Sequence, residues 1–119
     1  MNLPRHSKHP IDSSVYNRMM HRPVKKLDKI GEIRKAIKDV TGADPYMDPS
    51  YRGTKYVTAR QLFLYFVHKH AGLTQDEAGM LLCKDHSTVV HAVKNVNKFN
   101  EIETTYKENF DKIKLLINN

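Results

Sequence analysis

Residues 74–99 of the 119-residue chain read TQDEAGMLLCKDHSTVVHAVKNVNKF, and they contain two helix-start signals only eleven residues apart. Thr74 and Glu77 are spaced as a capping box, in which each side chain bonds the other residue's backbone N–H, so they predict a short helix through Leu82. Asp85 is placed to accept hydrogen bonds from the first N–H groups of a second helix. A three-residue turn therefore joins two helices, which is typical of a helix-turn-helix unit.

The second helix, predicted over His86 to about Phe99, has two contrasting faces. Its apolar face consists of Val89, Ala92, Val93, Val96 and Phe99. The opposite face consists of Ser87, His91, Lys94 and Lys98, with Asn95 beside them. Every side chain of that outward face can donate a hydrogen bond and none is acidic, which suits contact with phosphates. On the pattern alone, an ordinary solvated face is the commoner explanation.

The preceding part of the chain also predicts a helix. Apolar side chains recur at three- and four-residue steps from Val24 to Thr41, and Gly42 can end that helix in the left-handed conformation. Residues 43–57 are expected to form a loop because proline and glycine interrupt them. The loop also interleaves aromatic and basic side chains, which suit either packing or phosphate contact.

A central helix and a closing helix complete a predicted all-α bundle. Thr58 and Gln61 suggest a capping box at the start of the central helix, and the apolar run 62–67 is the expected core. Asn100 and Glu103 suggest the start of the closing helix. The apolar stripe of that helix would consist of Ile102, Tyr106, Phe110, Ile113 and Ile117.

The charge of the chain is uneven. The net charge is +7, of which residues 1–57 carry +6 and residues 58–119 carry +1. Lysine and arginine clusters gain free energy by displacing counterions from phosphates, so a polyanionic partner is favoured, although a solubilising tail would look the same. We expect residues 1–23 to be a flexible basic segment, with a short helix around 13–21 as an alternative, and residues 24–119 to be the folded domain.

Composition and motifs argue against several classes of function. No apolar run exceeds six residues, which predicts no transmembrane helix, and the glycine-rich lysine loop of nucleotide-binding proteins is missing. The single cysteine, Cys83, cannot form an internal disulfide, which favours a cytoplasmic location. His86 and His91 point about 140° apart around a helix. We therefore expect no metal site, and we expect no other cofactor. Because no oxyanion-binding groups are evident, we also expect no enzyme activity.

The run from Lys84 to Ala92, KDHSTVVHA, resembles the motif of the C-terminal DNA-binding domain of DnaA, the bacterial chromosomal replication initiator. That motif reads Gly-Arg-Asp-His-Thr-Thr-Val-(Leu/Ile)-His-Ala, and the likeness extends more loosely over about residues 33–117. The resemblance implies a Trp-repressor-like helical bundle that binds a short box of double-stranded DNA at a replication origin. Since the ATPase module of DnaA has no counterpart here, we expect a stand-alone relative.

The resemblance also assigns roles to individual positions. Asp85, His86 and Ser87 match residues that read base edges in the major groove. Contacts with the DNA backbone, or support of the recognition helix, are implied for Lys84, Thr88, His91 and Arg60. The outward face adds Lys94 and Lys98 as phosphate contacts, and the loop adds Arg52 and Lys55.

This chain departs from the family pattern at two places. Thr58 stands where family members usually have an arginine that enters the minor groove. Cys83 stands alone where the family has a pair of glycines, so a different turn angle is expected, and base preference could differ.

Two other functions remain open from the sequence. The helix pair could be a scaffold in a protein-interaction module that binds a replication protein through helix 24–41 or the N-terminal segment. Alternatively, the basic half could bind structured RNA.

Overall fold

The computed structural model describes residues 24–47 and 50–118, which fold into five α-helices. The helices are α1 (Val24–Thr41), α2 (Thr54–Lys69), α3 (Gln75–Leu81), α4 (His86–Ile102) and α5 (Thr104–Ile117). These two ranges contain no strand, so the prediction of an all-α fold is confirmed. The predictions made for residues 1–23 lie outside the described residues.

Helix α2 is the centre of the core, as its apolar run predicted. The buried residues of that run are Leu62, Phe63, Leu64, Phe66 and Val67. Helices α1, α3 and α4 all contact α2. Because full burial of one such side chain stabilises a fold by roughly 1.5–3 kcal/mol, α2 is the element on which the others assemble.

Helices α1 and α5 pack against each other and close the bundle. Both helices contribute buried isoleucines to the core: Ile30, Ile33 and Ile37 from α1, and Ile113 and Ile117 from α5. At its edge, the Lys29 ammonium group donates a 2.5 Å hydrogen bond to the backbone carbonyl of Ile117. The last carbonyl groups of a helix have no partner within the helix, so this lysine caps the end of α5 and joins it to the first turns of α1.

The predicted start of the central helix is wrong by about one turn. Helix α2 begins at Thr54, and the residue that precedes it, Gly53, makes no side-chain cap. Thr58 therefore lies inside the helix. The extra turn is stabilised by tertiary packing, because Tyr56 is partly buried against the core and its ring lies 5.1 Å from that of Tyr51. That packing outweighs the local capping signal of Thr58 and Gln61.

The predicted junction between the last two helices is also wrong. Helix α4 continues through Asn100 to Ile102, and Glu103 alone separates it from α5. Ile102 is 62% exposed and takes no part in the apolar stripe of α5. The junction is this short because the rings of Phe99 and Tyr106 pack together across it, with centroids 5.3 Å apart.

The loop between α1 and α2 is fastened to α1 by a charged pair. Arg34 donates two hydrogen bonds to the Asp44 carboxylate, of 3.0 and 2.8 Å. Its guanidinium group also lies 4.1 Å above the centre of the Tyr46 ring, which packs edge-on against Phe63. Mainly because of the hydrogen bonds from Arg34, the pKa of Asp44 is lowered to about 2. The loop thus packs onto the core at this end, one of the two roles that the sequence left open.

Gly79 in α3 lies against the turn that follows the helix. A Cβ atom at this position would lie 2.6 Å from the carbonyl oxygen of Lys84 and 2.9 Å from that of Asp85. Its neighbour is the backbone that leads into α4, so Gly79 sets how closely α3 and α4 can approach.

Replacement of Gly79 by alanine tests this contact. Alanine favours helix by about 1 kcal/mol over glycine, but a Cβ within 3 Å of two backbone oxygens forces the turn to move. We expect Gly79→Ala to lower the free energy of unfolding by about 1–3 kcal/mol, measured by urea denaturation. The control is Gly31→Ala in α1, where nothing lies within 4 Å of the new Cβ, and which should stabilise by about 0.5–1 kcal/mol. Equal stabilisation by both substitutions would contradict this account of the turn.

Replacement of Asp44 by asparagine tests the loop anchor. Because Arg34 is partly exposed to solvent, we expect Asp44→Asn to lower the free energy of unfolding by only about 1 kcal/mol near neutral pH. A carboxyl whose pKa is lowered on folding stabilises the protein above its unfolded pKa and loses that effect as the pH falls. The difference in free energy of unfolding between wild type and variant should therefore become smaller as the pH falls from about 4 towards about 2.

The matched control for the anchor is Asp39→Asn, which removes an exposed ion pair with Lys35. An exposed pair of this helical spacing is worth about 0.2–0.5 kcal/mol. Urea denaturation across the acid range would measure both variants. The anchoring role would be refuted if both substitutions lowered the free energy of unfolding equally. It would also be refuted if the loss caused by Asp44→Asn did not change with pH.

Candidate nucleic-acid interface

The start of α3 is fixed by the predicted capping box. The Glu77 N–H donates to the Thr74 hydroxyl oxygen at 3.1 Å, and the Thr74 N–H donates to the Glu77 carboxylate at 2.9 Å. Glu77 has no exposed surface. A buried carboxyl group is costly without hydrogen-bond partners, so the capping box favours the arrangement in which α3 begins at Gln75.

The turn between α3 and α4 is closed by backbone hydrogen bonds. The carbonyl oxygen of Gly79 accepts from the N–H groups of Leu82 and Lys84, at 3.0 and 2.8 Å. Cys83 lies between them with a φ of 58°, in the left-handed region that glycine adopts at least cost. The side chain of Cys83 is exposed.

The first turn of α4 is organised by Asp85. Its Oδ1 atom accepts three hydrogen bonds: from the Ser87 hydroxyl at 2.8 Å, and from the N–H and hydroxyl of Thr88 at 3.2 Å each. These bonds lower the pKa of Asp85, the bond from Ser87 contributing most. The predicted N-cap is therefore confirmed. Asp85, Ser87 and Thr88 form this cap and are also predicted to contact DNA. Their hydrogen bonds therefore order them before any DNA is bound.

His86 projects from the same end of the helix. Its side chain is 63% exposed, and its Nδ1 atom lies 3.7 Å from a carboxylate oxygen of Asp76 in α3. This distance is too long for a hydrogen bond but allows electrostatic attraction when the imidazole is protonated. Sequence reasoning missed Asp76, because a single acid in a short helix carries no signal that it faces the next helix.

The two faces of α4 lie as predicted. Its buried residues are Val89, Ala92 and Val96, which pack into the core. The exposed residues include every member of the predicted outward face: Ser87, His91, Lys94 and Lys98. Lys84, Asp85 and His86 are exposed as well, and Thr88 is partly buried. The described part of the chain therefore leaves the amino end and one long side of α4 open to solvent.

The remaining predicted contact residues lie at the start of α2 and in the loop before it. Arg52 and Lys55 are exposed, and the Lys55 ammonium group lies 5.4 Å from the centre of the Tyr56 ring. Arg60 is partly buried, and its guanidinium group donates to the backbone carbonyl of Tyr51. That bond gives Arg60 a role in holding the loop against α2, which sequence reasoning did not foresee.

No helix in residues 24–47 and 50–118 combines the length and apolar character needed to cross a bilayer. Within the same ranges, no group of three or more histidine, cysteine or acidic side chains is arranged to hold a metal ion.

Comparison with known proteins agrees with this geometry. A family model described as the bacterial DnaA protein helix-turn-helix matches residues 30–96, which include α3, the turn and most of α4. No curated protein and no solved structure matches the chain. The matched region covers more than half of the 119 residues. The chain therefore belongs to the family of bacterial DnaA C-terminal helix-turn-helix domains, which are DNA-binding domains.

Proposed function

We propose that this protein binds double-stranded DNA in a sequence-specific manner, at boxes similar to those of DnaA, in replication initiation or its regulation. The observation that carries the proposal is the open amino end of α4, where a self-contained cap presents His86 and its neighbours to solvent. In a helix-turn-helix, the first residues of the second helix are those that reach base edges in the major groove. Family membership supports the DNA-binding part of the proposal.

The hydrogen bonds of the cap suggest which base groups are read. Since Ser87 donates its hydroxyl proton to Asp85, the Ser87 oxygen can act towards DNA as an acceptor. The second carboxylate oxygen of Asp85, Oδ2, takes part in none of the three capping bonds and is another acceptor. In the major groove, the exocyclic amino groups of cytosine and adenine are the donors. We therefore assign Asp85 and Ser87 to amino groups, and His86 to a base that offers an acceptor to its ring N–H.

Cationic and polar side chains of α4, of the loop before α2 and of α2 itself would hold the DNA backbone. Those assigned to phosphates are Lys84, Thr88, His91, Lys94, Lys98, Arg52, Lys55 and Arg60. The two lysines of the outward face extend the contact along α4, while Arg52 and Lys55 supply cations beside α2. If about six phosphates are neutralised, the affinity should fall with salt at a log–log slope near −5.

Fluorescence anisotropy would test the proposal, with one duplex that carries a DnaA box and one of the same composition in scrambled order. Both are titrated at two salt concentrations. Preference for the box supports sequence-specific binding. Equal and weak binding to both duplexes would favour a protein-interaction module, and stronger binding to duplex RNA would favour an RNA-binding role.

Substitution of His86 should reduce the discrimination between the two duplexes. Loss of a base contact costs about 1–3 kcal/mol with the correct site and little with the scrambled one. We therefore expect His86→Ala to lower the ratio of the two affinities by about 5- to 150-fold, measured by the same titrations. Asn97→Ala, an exposed change in the later part of α4, is the control and should leave the ratio unchanged. An unchanged ratio in His86→Ala would remove His86 from the reading residues.

Substitution of Lys94 or Lys98 should weaken binding to both duplexes alike. Each lysine that neutralises a phosphate contributes about one unit to the salt slope. Lys94→Ala and Lys98→Ala are each expected to flatten the slope by about one unit without changing the preference for the box. Lys114→Ala in α5 makes the same change of charge on another helix and controls for net charge. A slope reduced equally by Lys114→Ala would mean that the outward face has no special contact with DNA.

A further inference from the structure

Asp76 lies beside the amino end of α4, although it is neither a cap nor a predicted DNA contact. It belongs to the first turn of α3, its side chain is 70% exposed, and one of its carboxylate oxygens lies 3.7 Å from Nδ1 of His86. A negative charge at this place repels the phosphates of a bound duplex, so the charge by itself weakens binding to DNA. Any benefit that Asp76 brings to binding must therefore come through His86.

The Asp76 carboxylate influences which nitrogen of His86 carries the proton. A neutral imidazole has one N–H group and one bare nitrogen, and either ring nitrogen can carry the hydrogen. A proton on Nδ1 is attracted to the nearby carboxylate, whereas a bare Nδ1 would bring its lone pair close to the same negative charge. The neutral ring is therefore favoured with its proton on Nδ1 and with Nε2 bare.

The role that the proposed function gives to His86 requires a ring N–H that points at a base acceptor. With Nδ1 beside Asp76, Nε2 is the nitrogen left for the DNA. In the favoured neutral form Nε2 is an acceptor, and it becomes a donor only when the imidazole takes up a second proton. Histidine side chains in general change their charge between about pH 5 and pH 8, so such uptake is accessible under ordinary conditions.

The charged groups around His86 suit a positive ring. Besides Asp76 from α3, the Asp85 carboxylate directly precedes His86, and its pKa is lowered chiefly by the hydrogen bond from Ser87 and further by the imidazole itself. The cation of the same turn is Lys84. Helices α2 and α5 contact α4 as well, but within the described residues the ion pair of His86 is with α3. Two carboxylates therefore stand against one ammonium group, and a positive imidazole balances them.

We propose that His86 reads its base as the doubly protonated imidazolium, with Asp76 holding the proton on Nδ1 while the proton on Nε2 is donated to the base. The acceptor is a guanine or thymine oxygen or a purine N7. Binding to the box is then coupled to the uptake of one proton from solvent, since a neutral ring presents a bare Nε2. Asp76 is a positioning residue that acts through His86 and touches no base. This inference rests on the proposed function.

The pH dependence of the discrimination between the box and scrambled duplexes tests the proton uptake. Because the protonated ring binds the box better, the preference is complete at low pH and is lost as the pH rises and the imidazole loses its proton. We expect the ratio of the two affinities, measured by anisotropy with the full chain, to fall at least about fivefold from pH 6 to pH 8. His86→Ala should remove this dependence. Histidines that contact phosphates, such as His91, affect both duplexes and cancel in the ratio.

The outcomes separate the inference from the proposed function. A preference for the box that is the same at both pH values would overturn the proton-coupled reading by His86 and leave the proposed function standing. A pH dependence that persists in His86→Ala would also overturn it. No preference for the box at either pH would refute the proposed function, and this inference with it.

Asp76→Asn distinguishes positioning through His86 from simple repulsion of DNA. Loss of a repelling charge would tighten binding to both duplexes alike and leave the ratio unchanged. We instead expect the ratio at pH 6 to fall about two- to fivefold, as for loss of an exposed ion pair. Its change from pH 6 to pH 8 should shrink to less than about twofold, because the neutral ring can then carry its proton on Nε2.

The matched control is Asp111→Asn in α5, which removes the same charge from another exposed ion pair and should leave both the ratio and its pH dependence as in the wild type. An unchanged ratio in Asp76→Asn, or an equal change in Asp111→Asn, would overturn the positioning role.

Nitrogen NMR of the free, isotope-labelled chain tests Asp76 without any DNA. At about pH 8.5, where imidazoles are neutral, the chemical shifts of the two ring nitrogens report which of them carries the proton. We expect the proton of His86 to lie mainly on Nδ1 in the wild type and to move towards Nε2 in Asp76→Asn, while the shifts of His91 stay unchanged. A wild-type His86 protonated mainly on Nε2 would overturn the inference whatever the DNA titrations give.

Discussion

The approach of the α3–α4 turn to Gly79 is the constraint on which the rest of the structure depends. The carbonyl oxygens of Lys84 and Asp85 occupy the space that a Cβ of residue 79 would need. The same glycine accepts two hydrogen bonds from the turn through its own carbonyl. Because contacts through both the Cα and the carbonyl fix the turn, the direction in which α4 leaves it is also fixed. That direction decides which side of α4 meets the core and which meets solvent.

The core and the exposed face of α4 are consequently two aspects of one packing arrangement. Val89, Ala92 and Val96 are held against α2 and its neighbours, so α4 cannot rotate about its axis without exposing them. The outward lysines are therefore held at a defined side of the bundle. At the amino end of α4, Asp85 accepts hydrogen bonds from the hydroxyl groups of Ser87 and Thr88, which orders these groups before any partner arrives. A tip ordered in advance loses less conformational entropy on binding.

Sequence reasoning predicted the features that arise from local patterns and missed those that arise from tertiary contacts. The capping box at Thr74, the cap at Asp85 and the two faces of α4 follow from spacing along the chain, and the structure has them all. The start of α2 does not follow from spacing, because Tyr56 adds a turn by packing on the core. Nor do the Arg34–Asp44 pair and the contact of Asp76 with His86, which join residues ten apart in the chain without periodicity. The roles proposed for Asp85, His86 and Ser87 rest on the family motif, since exposure alone does not distinguish a binding face from a solvated one.

Cys83 shows that the turn is imposed by its surroundings rather than by its own residue type. The family motif has glycines before the recognition helix, and one residue fewer here predicted an altered turn. Cys83 takes the left-handed conformation that glycine adopts at least cost, and for a residue with a side chain this costs roughly 1–2 kcal/mol. It does so because the N–H groups on either side must reach the Gly79 carbonyl, and because its own N–H bonds the carbonyl of Met80 at 3.1 Å. Cys83 keeps this conformation although its residue type disfavours it. The packing of α3 against α4 therefore determines the shape of the turn.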